Sequence, residues 1–480
     1  MRDSCGLAAI NLTPPGPGAG DYLPATRAGN APPVPFTCEP HPREKPNAVC
    51  YVGRCGGLRE CRERKQRQTR LPRESPRCTA MSGALNGIRV VEVGHIIAGP
   101  FCGHLFADHG AEVVKVEPPL TGDPMRKWGG LHHGVGLYWP IIGRGKKSVT
   151  LDLHLDEGRH ALRELLATAD VVIENFRPGQ FENWGLGVDD LEALNPRLIM
   201  VRISGFGQTG PYRDRAGFGS VAEAMSGFRY LCGEPGRPPV RVGISIGDAL
   251  AATQGFIGAM LALYARDRPG GNGRGQVVDV ALYEAMWMYM ESMLPEYEIL
   301  GQTRQPSGSV LSGIAPSNVY PTADGKWVVM GANQDTVFAR LAGLMGRPEW
   351  TAEGSPYRTH EERGANQAQL DGQIAEWTAA YQYRRLLEAL HEAGVPAGPI
   401  YTADDIATDP HYAARDMIIS VPEPNLGGQE IRMQGIVPKL SRSPGSVAAG
   451  APLLGQHNGE IWGTLLGDNG LDRLQSVAAV

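Results

Sequence analysis

The stretch from Ile88 to Glu117 constrains the fold more than any other. "IRVVEVG" (88–94) is a β-branched run, "FCGHLFADHG" (101–110) has helical spacing and closes on a glycine, and "AEVVKVE" (111–117) reads as a second buried strand. Two buried strands with a helix between them make a β-α-β unit. The turn joining the first strand to the helix reads "HIIAGP". It lacks the G-x-G-x-x-G fingerprint, which disfavours a nicotinamide dehydrogenase. The alternation continues through "KSVTLDL", "DEGRHALRELLATA", "DVVIENF", "VDDLEALNP" and "LIMVRISGF". Uniformly apolar strands separated by helices predict an α/β fold, a doubly wound parallel sheet of Rossmann-like type. Ligands of such sheets bind beyond the C-terminal ends of the strands. There the loops "GHIIAGP", "ENFRPG" and "ISGFGQTGPY" carry few large side chains, so backbone N–H groups can approach a ligand closely.

Downstream, "RVGISIGDALAATQGFIGAMLAL" (241–263) sets a lone carboxylate, Asp248, at the start of a helix rich in small residues. An Asp there is most simply an N-cap, and the helix dipole favours its ionised form. A fixed anionic carboxylate can also be a nucleophile. The apolar run Ala249–Tyr264 is broken by Thr253, Gln254 and Gly255 and reads as too short to cross a bilayer, so a soluble protein with no membrane partner is expected. A strand, "GQVVDVAL", precedes a Met-rich helix, "YEAMWMYMESMLPEYEIL", in which Met286, Met290 and Met293 share one face. After the polar segment "GQTRQPSGSVLSGIAPSN", "VYPTADGKWVVMGA" reads as strand, turn and strand, and helices from Thr336 to about Gly394 suggest a smaller α+β domain.

Residues 1–80 differ in kind. They hold 13 Lys/Arg against 7 Asp/Glu, 12 prolines and no sustained period. A disordered leader or a mis-called start is expected; a transit peptide fits poorly because acidic residues and prolines interrupt any amphipathic helix. Cys50, Cys55 and Cys61 lack the paired spacing of a zinc site. Only Cys102 and Cys232 lie beyond this region, which points to a reducing, cytoplasmic setting. Formal net charge is −5, which argues against a nucleic-acid partner. His95, His104, His109 and His457 form no ligand pair at useful helical spacing, His104 and His109 standing five apart and the others on different elements, so no metal is expected, and Cys102 reads as a packed small hydrophobe.

The segments "AGPFCGHLFADHGAEVVKVEPPLTGDPMR", "GKKSVTLDL", "VVIENFRPG", "ISGFGQTGPY", "GDALAATQGFIGAMLALYARDRPGGNGRGQVVDVALYEA", "DPHYAARDM" and "PLLGQHN" occur in this order from Met81 to about Gly467. Taken together they resemble the family III CoA-transferases, which include formyl-CoA:oxalate and carnitine CoA-transferases and are related to α-methylacyl-CoA racemase. The resemblance implies an interlocked homodimer. In this chain it implies a large CoA-binding domain at 81–280, a linker and glycine-containing loop at 281–320, a small domain at 321–405 and a C-terminal return at 406–480. It implies a CoA thioester as substrate, a small carboxylic acid as acceptor and no tightly bound cofactor. It places the nucleophile on Asp248, an active-site tyrosine on Tyr138 and a loop glycine on Gly313. It sets Ile96, Ile97, Leu151, Asn175 and Phe176 along the CoA arms, with Arg144, Lys146, Lys147 and Arg177 as candidates for the phosphates.

Two departures bear on the acid. The formyl-CoA enzyme's glutamine and glutamate correspond to Ile97 and Gly207, so the pocket is less suited to oxalate and more tolerant of a larger acyl group. Succinyl-CoA with a dicarboxylic or aryl-substituted acid is the pair that the wider family suggests. Against a racemase, the residue matching that branch's histidine is Phe218, which cannot shuttle a proton. An inactive CoA-binding scaffold is the other alternative, disfavoured by the intact "GD" pair.

Overall fold

A computed structural model of the chain describes residues 83–480; the expectations for residues 1–80 fall outside them. Six strands form the main sheet: β1 (Arg89–Glu92), β2 (Glu112–Glu117), β3 (Lys147–Thr150), β4 (Val171–Glu174), β5 (Ile199–Ser204) and β6 (Val277–Ala281). Their order is β3-β2-β1-β4-β5-β6. Every neighbouring pair is parallel. The chain therefore winds from the centre to one edge, returns, and winds to the other, which opens a crevice where β1 and β4 lie side by side.

The pleat sends successive residues to opposite faces. Val90, Val113, Val171 and Val201 enter one core, which helices α1 (Ala98–Asp108) and α4 (Ile246–Asp267) cover. Val91, Val114, Val172 and Met200 enter the other, under α2 (Asp156–Ala167) and the C-terminal α10 (Asn458–Ser476), whose Trp462 is fully buried. Between α2 and α4 comes the short α3 (Gly219–Met225).

The small residues of α4 now have a reason. Ala251, Ala252, Gly255, Ala259 and Ala262 are buried, and a methyl added at Gly255 would stand 3.1 Å from Val201. Small side chains let the helix lie directly on the sheet. At 22 residues and a mean hydropathy of 1.4, α4 does have the length and apolarity of a membrane span, contrary to the reading of its interrupted run. Here one side of it is packed against α1 and β5.

The Met-rich segment is not one helix. It forms α5 (Leu282–Trp287) and α6 (Met293–Leu300), separated at Glu291, whose φ is +52°. Pro295 supplies the cause: it lacks an N–H and is tolerated only in a first turn, so a new helix must begin just before it. Met286 and Met290 are buried, and Met288 is exposed.

Beyond, β7 (Ser317–Pro321), β8 (Trp327–Gly331) and β9 (Ala397–Pro399) form an antiparallel sheet in the order β9-β8-β7. Helices α7 (Asp335–Leu344), α8 (Gln367–Thr378) and α9 (Tyr383–Glu392) pack around it. Tyr320, Phe338, Leu341, Ile374 and Leu386 make its separate core.

Candidate active site

The crevice is built by three strand-end loops clamped to one another. Asn175, just after β4, accepts from the His95 backbone N–H at 2.7 Å and donates to the His95 carbonyl at 3.0 Å. This two-bond clasp holds the loop after β1. A methyl on Gly94 would meet the Asn175 amide oxygen at 2.5 Å, so the close approach requires glycine. The next residue but one, Ile96, adopts φ +66°, a conformation that costs a β-branched residue of order 1–3 kcal/mol and is retained only where its surroundings impose it. Its N–H is held by Asp123 at 3.2 Å. On the other side, the loop after β5 doubles back so tightly that a methyl on Gly205 would lie 2.6 Å from the Gly217 Cα.

These loops enclose a cavity of about 170 Å³ whose walls include Ile97, Phe176, Arg177, Arg215, Phe218 and Asp248. That is below the roughly 300–1,000 Å³ of clefts for drug-sized ligands, so it admits an acyl group and not a whole CoA. A second cavity, of about 360 Å³, opens at the ends of β1, β2 and β3 between Val93, His95, Leu151, Phe176 and Trp184. The two cavities share Phe176 and Arg177. Phe176 meets His95 and Trp184 edge-on, with ring centroids 5.1 Å apart in each case.

Asp248 is not the helix cap. Ser245 holds that position and Asp248 is the third residue of α4. Its carboxyl group turns instead onto Gly219, where a methyl would stand 2.8 Å from the carboxyl carbon. Burial and the neighbouring Glu223 carboxylate push its pKa up to about 6, against a smaller opposing effect of Arg241. The expected dipole effect is thus outweighed by desolvation. At neutral pH the group is still mostly ionised, and it has lost part of its solvation, which makes the anion more reactive. Glu223 is itself buried, bonded to Arg229 at 2.6 Å, and leaves its second oxygen without a partner among the described residues. Tyr138 lies near enough that burial and the Asp248 charge both raise its phenol pKa.

Three of the basic residues do not reach the crevice. Arg144, Lys146 and Lys147 precede or open β3, at the N-terminal end of a parallel strand and away from the strand-end loops. Arg144 is buried against Asp108 at 2.6 Å and the Gln434 carbonyl at 2.6 Å. Lys146 is buried between Glu92 at 2.6 Å and the Pro100 carbonyl at 2.6 Å. Lys147 bridges Glu112 and Glu460 at 2.7 and 2.6 Å. Their charges are used within the fold, and only Arg177 of the four lines the cavities.

Gly313 is likewise not beside Asp248 in the same chain. It has φ +77° and its N–H is held by Gln367 at 3.2 Å, on the smaller sheet's side of the molecule. Cys102 is fully buried, and burial drives its thiol pKa well above the ordinary range. Gly219, Glu223 and Arg215 were not singled out by spacing; Gly219 and Glu223 bear on Asp248, which is distant in the chain.

Residues 85–458 match the model of CoA-transferase family III. The chain belongs to that family. Among its relatives, the succinyl-CoA–D-citramalate CoA-transferase of Chloroflexus aurantiacus is 55% identical over 80% of this chain and 94% of its own. The succinate–glutarate CoA-transferase of Agrobacterium fabrum is 34% identical over 78% and 94%. A CaiB/BaiF family protein from Brucella suis superposes with a TM-score of 0.70 at 34% identity, over 80% of this chain and 100% of that one. This family III chain is a CoA-transferase, and its crevice is the place to seek the transfer chemistry. Phe218 in the wall offers no proton shuttle for racemisation.

Proposed function

We propose that this transferase moves CoA from succinyl-CoA to a short dicarboxylic acid, with Asp248 as the acyl carrier. The observation that carries the reading is the desolvated carboxylate of Asp248 in the wall of an acyl-sized cavity that adjoins a second, aromatic-lined one. The larger cavity suits an adenine ring between Phe176, His95 and Trp184, with Leu151 below it. Arg177, at the junction, is the one phosphate candidate of the original four placed to meet the pyrophosphate. The acid class follows from relatives that act on citramalate and glutarate.

In the reaction, an Asp248 oxygen attacks the succinyl thioester carbonyl and CoA leaves as its thiolate, giving a mixed anhydride. The thiolate attacks the aspartyl carbonyl, releases succinate and forms an aspartyl-CoA thioester. The acceptor carboxylate displaces the thiolate to make a second anhydride. Thiolate attack on the acceptor's acyl carbon then frees the product and restores the Asp248 carboxylate. Every bond broken is replaced by one of comparable activation, so neither ATP nor a resident cofactor is required. Tyr138 shields and orients the carboxylate, and water must be kept out of each intermediate.

A homodimer supports that shielding. Ile257, Leu261 and Tyr264 make an exposed apolar stripe on α4, and Tyr289, bonded to Gln254 at 3.1 Å, extends it towards Ile299 and Leu300. A contiguous patch of this kind fits a second copy of the chain, whose Gly313 loop would then cover the site. Cys102 and Cys232, the free cysteines among the described residues, suit the reducing cytoplasm.

Incubation with succinyl-CoA followed by hydroxylamine tests the carrier. A hydroxamate on the peptide containing Asp248, and loss of exchange in Asp248→Ala, are expected. Undiminished exchange in that variant would end the proposal.

A further inference from the structure

A dicarboxylic substrate brings a second negative charge into a cavity that already holds an ionised aspartate. Among the cations of that cavity, Arg177 also lines the larger, nucleotide-sized cavity, which leaves Arg215. We propose that Arg215 is the anchor for the remote carboxylate of the acyl group and so sets the preference for dicarboxylic over monocarboxylic acids. The assignment rests on the transferase reading above and adds the residue that selects its substrate class.

The loop after β5 presents two arginines two residues apart. Arg213 is spent on its neighbour Asp214 at 3.3 Å. Arg215 is an exposed residue of the cavity's lining, and it meets no carboxylate and donates no side-chain hydrogen bond among the described residues. Its guanidinium carbon instead sits 3.5 Å above the Tyr212 ring. A turn in which the Arg215 N–H donates to the Tyr212 carbonyl at 2.9 Å sets up that stacking. Tyr212 is braced edge-on by Phe206, ring centroids 6.1 Å apart. Stacking engages the face of a guanidinium and leaves its edge N–H donors pointing outward, in the fork that binds a carboxylate through two bonds. The side chain is thus held in place before a ligand arrives, which lowers the entropy lost on binding. Arg241, whose charge is felt at Asp248, adds positive potential on the same side.

The test compares succinyl-CoA with butyryl-CoA, equal in chain length and differing in the terminal carboxylate, as donors to the wild type and to Arg215→Met. The wild type should prefer succinyl-CoA in kcat/KM, and the variant should lose about 100-fold of that preference. Tyr212→Leu, which removes the platform and keeps the cation, should lose roughly tenfold, chiefly through KM. Arg215→Lys should recover only part of the loss, since an ammonium lacks the fork. An Arg215→Met variant that slows both donors equally, with the wild-type preference for succinyl-CoA intact, would overturn this assignment alone. A wild type that favours butyryl-CoA would overturn it together with the proposed substrate.

Discussion

Replacing Gly219 by alanine adds one methyl group, and the structure says where it goes. It would lie 2.8 Å from the Asp248 carboxyl carbon and nearer still to one oxygen. Carbon atoms settle at about 3.5–4.0 Å, so the carboxylate must retreat by roughly 0.7 Å or turn away from the cavity. Errors of about 1 Å in a reacting group cost on the order of 100-fold in rate, or about 2.7 kcal/mol of barrier. The helix itself gains from the change. Gly219 opens α3 and has no left-handed backbone angle, so alanine fits its conformation and reduces the freedom of the unfolded chain, worth about 0.4–1 kcal/mol. Activity should therefore fall while the melting temperature holds or rises. Steady-state transfer from succinyl-CoA, with a thermal melt and the hydroxylamine trap on the same preparation, reads all three quantities. A variant within threefold of the parent in kcat would show that the position of the Asp248 carboxylate is not what limits the rate.

On the proposed chemistry the Asp248 carboxylate must be ionised to attack, and burial and Glu223 push its pKa up to about 6, so kcat/KM should fall as pH drops through about 6 instead of about 4. Glu223→Gln removes the adjacent negative charge, and the acid limb of the profile should move to lower pH; an unmoved limb would deny Glu223 that influence. Asn175→Ala removes both bonds of the clasp and should raise KM for succinyl-CoA at least tenfold with a smaller effect on kcat, measured by initial rates. Lys146→Met leaves Glu92 short of a partner in the interior and should destabilise the fold by about 3–5 kcal/mol in urea titration. Arg177→Ala should leave stability unchanged and raise KM for acyl-CoA, and the reverse pattern would restore Lys146 as a phosphate ligand.

The sheet was readable because most of its strands carry adjacent apolar residues in place of a strict apolar–polar alternation. Val90 and Val91, or Val171 and Val172, face opposite cores, and a run buried on both faces cannot be mistaken for an amphipathic one. The basic cluster "GRGKK" was misleading for a complementary reason. Linear spacing shows that Arg144, Lys146 and Lys147 are close together, but not that they stand at the wrong end of β3, nor that Glu92, Asp108 and Glu112 wait there to neutralise them. Asp248 was visible as a carboxylate beginning a helix. Its place as third residue instead of cap is a matter of one turn, but the excess of desolvation over dipole reflects burial and the Glu223 charge, which come from packing against another helix. The division of the Met-rich segment could have been anticipated from Pro295.

The two adjoining chambers touch at Phe176 and Arg177 alone. If the chambers divide the substrate as proposed, such a scaffold can vary the wall that judges the acid while keeping its grip on the carrier molecule, because few side chains serve both tasks. Descent within such a family can then explore new metabolites by small steps, each a trial of one chamber, with the handle of every thioester already provided for.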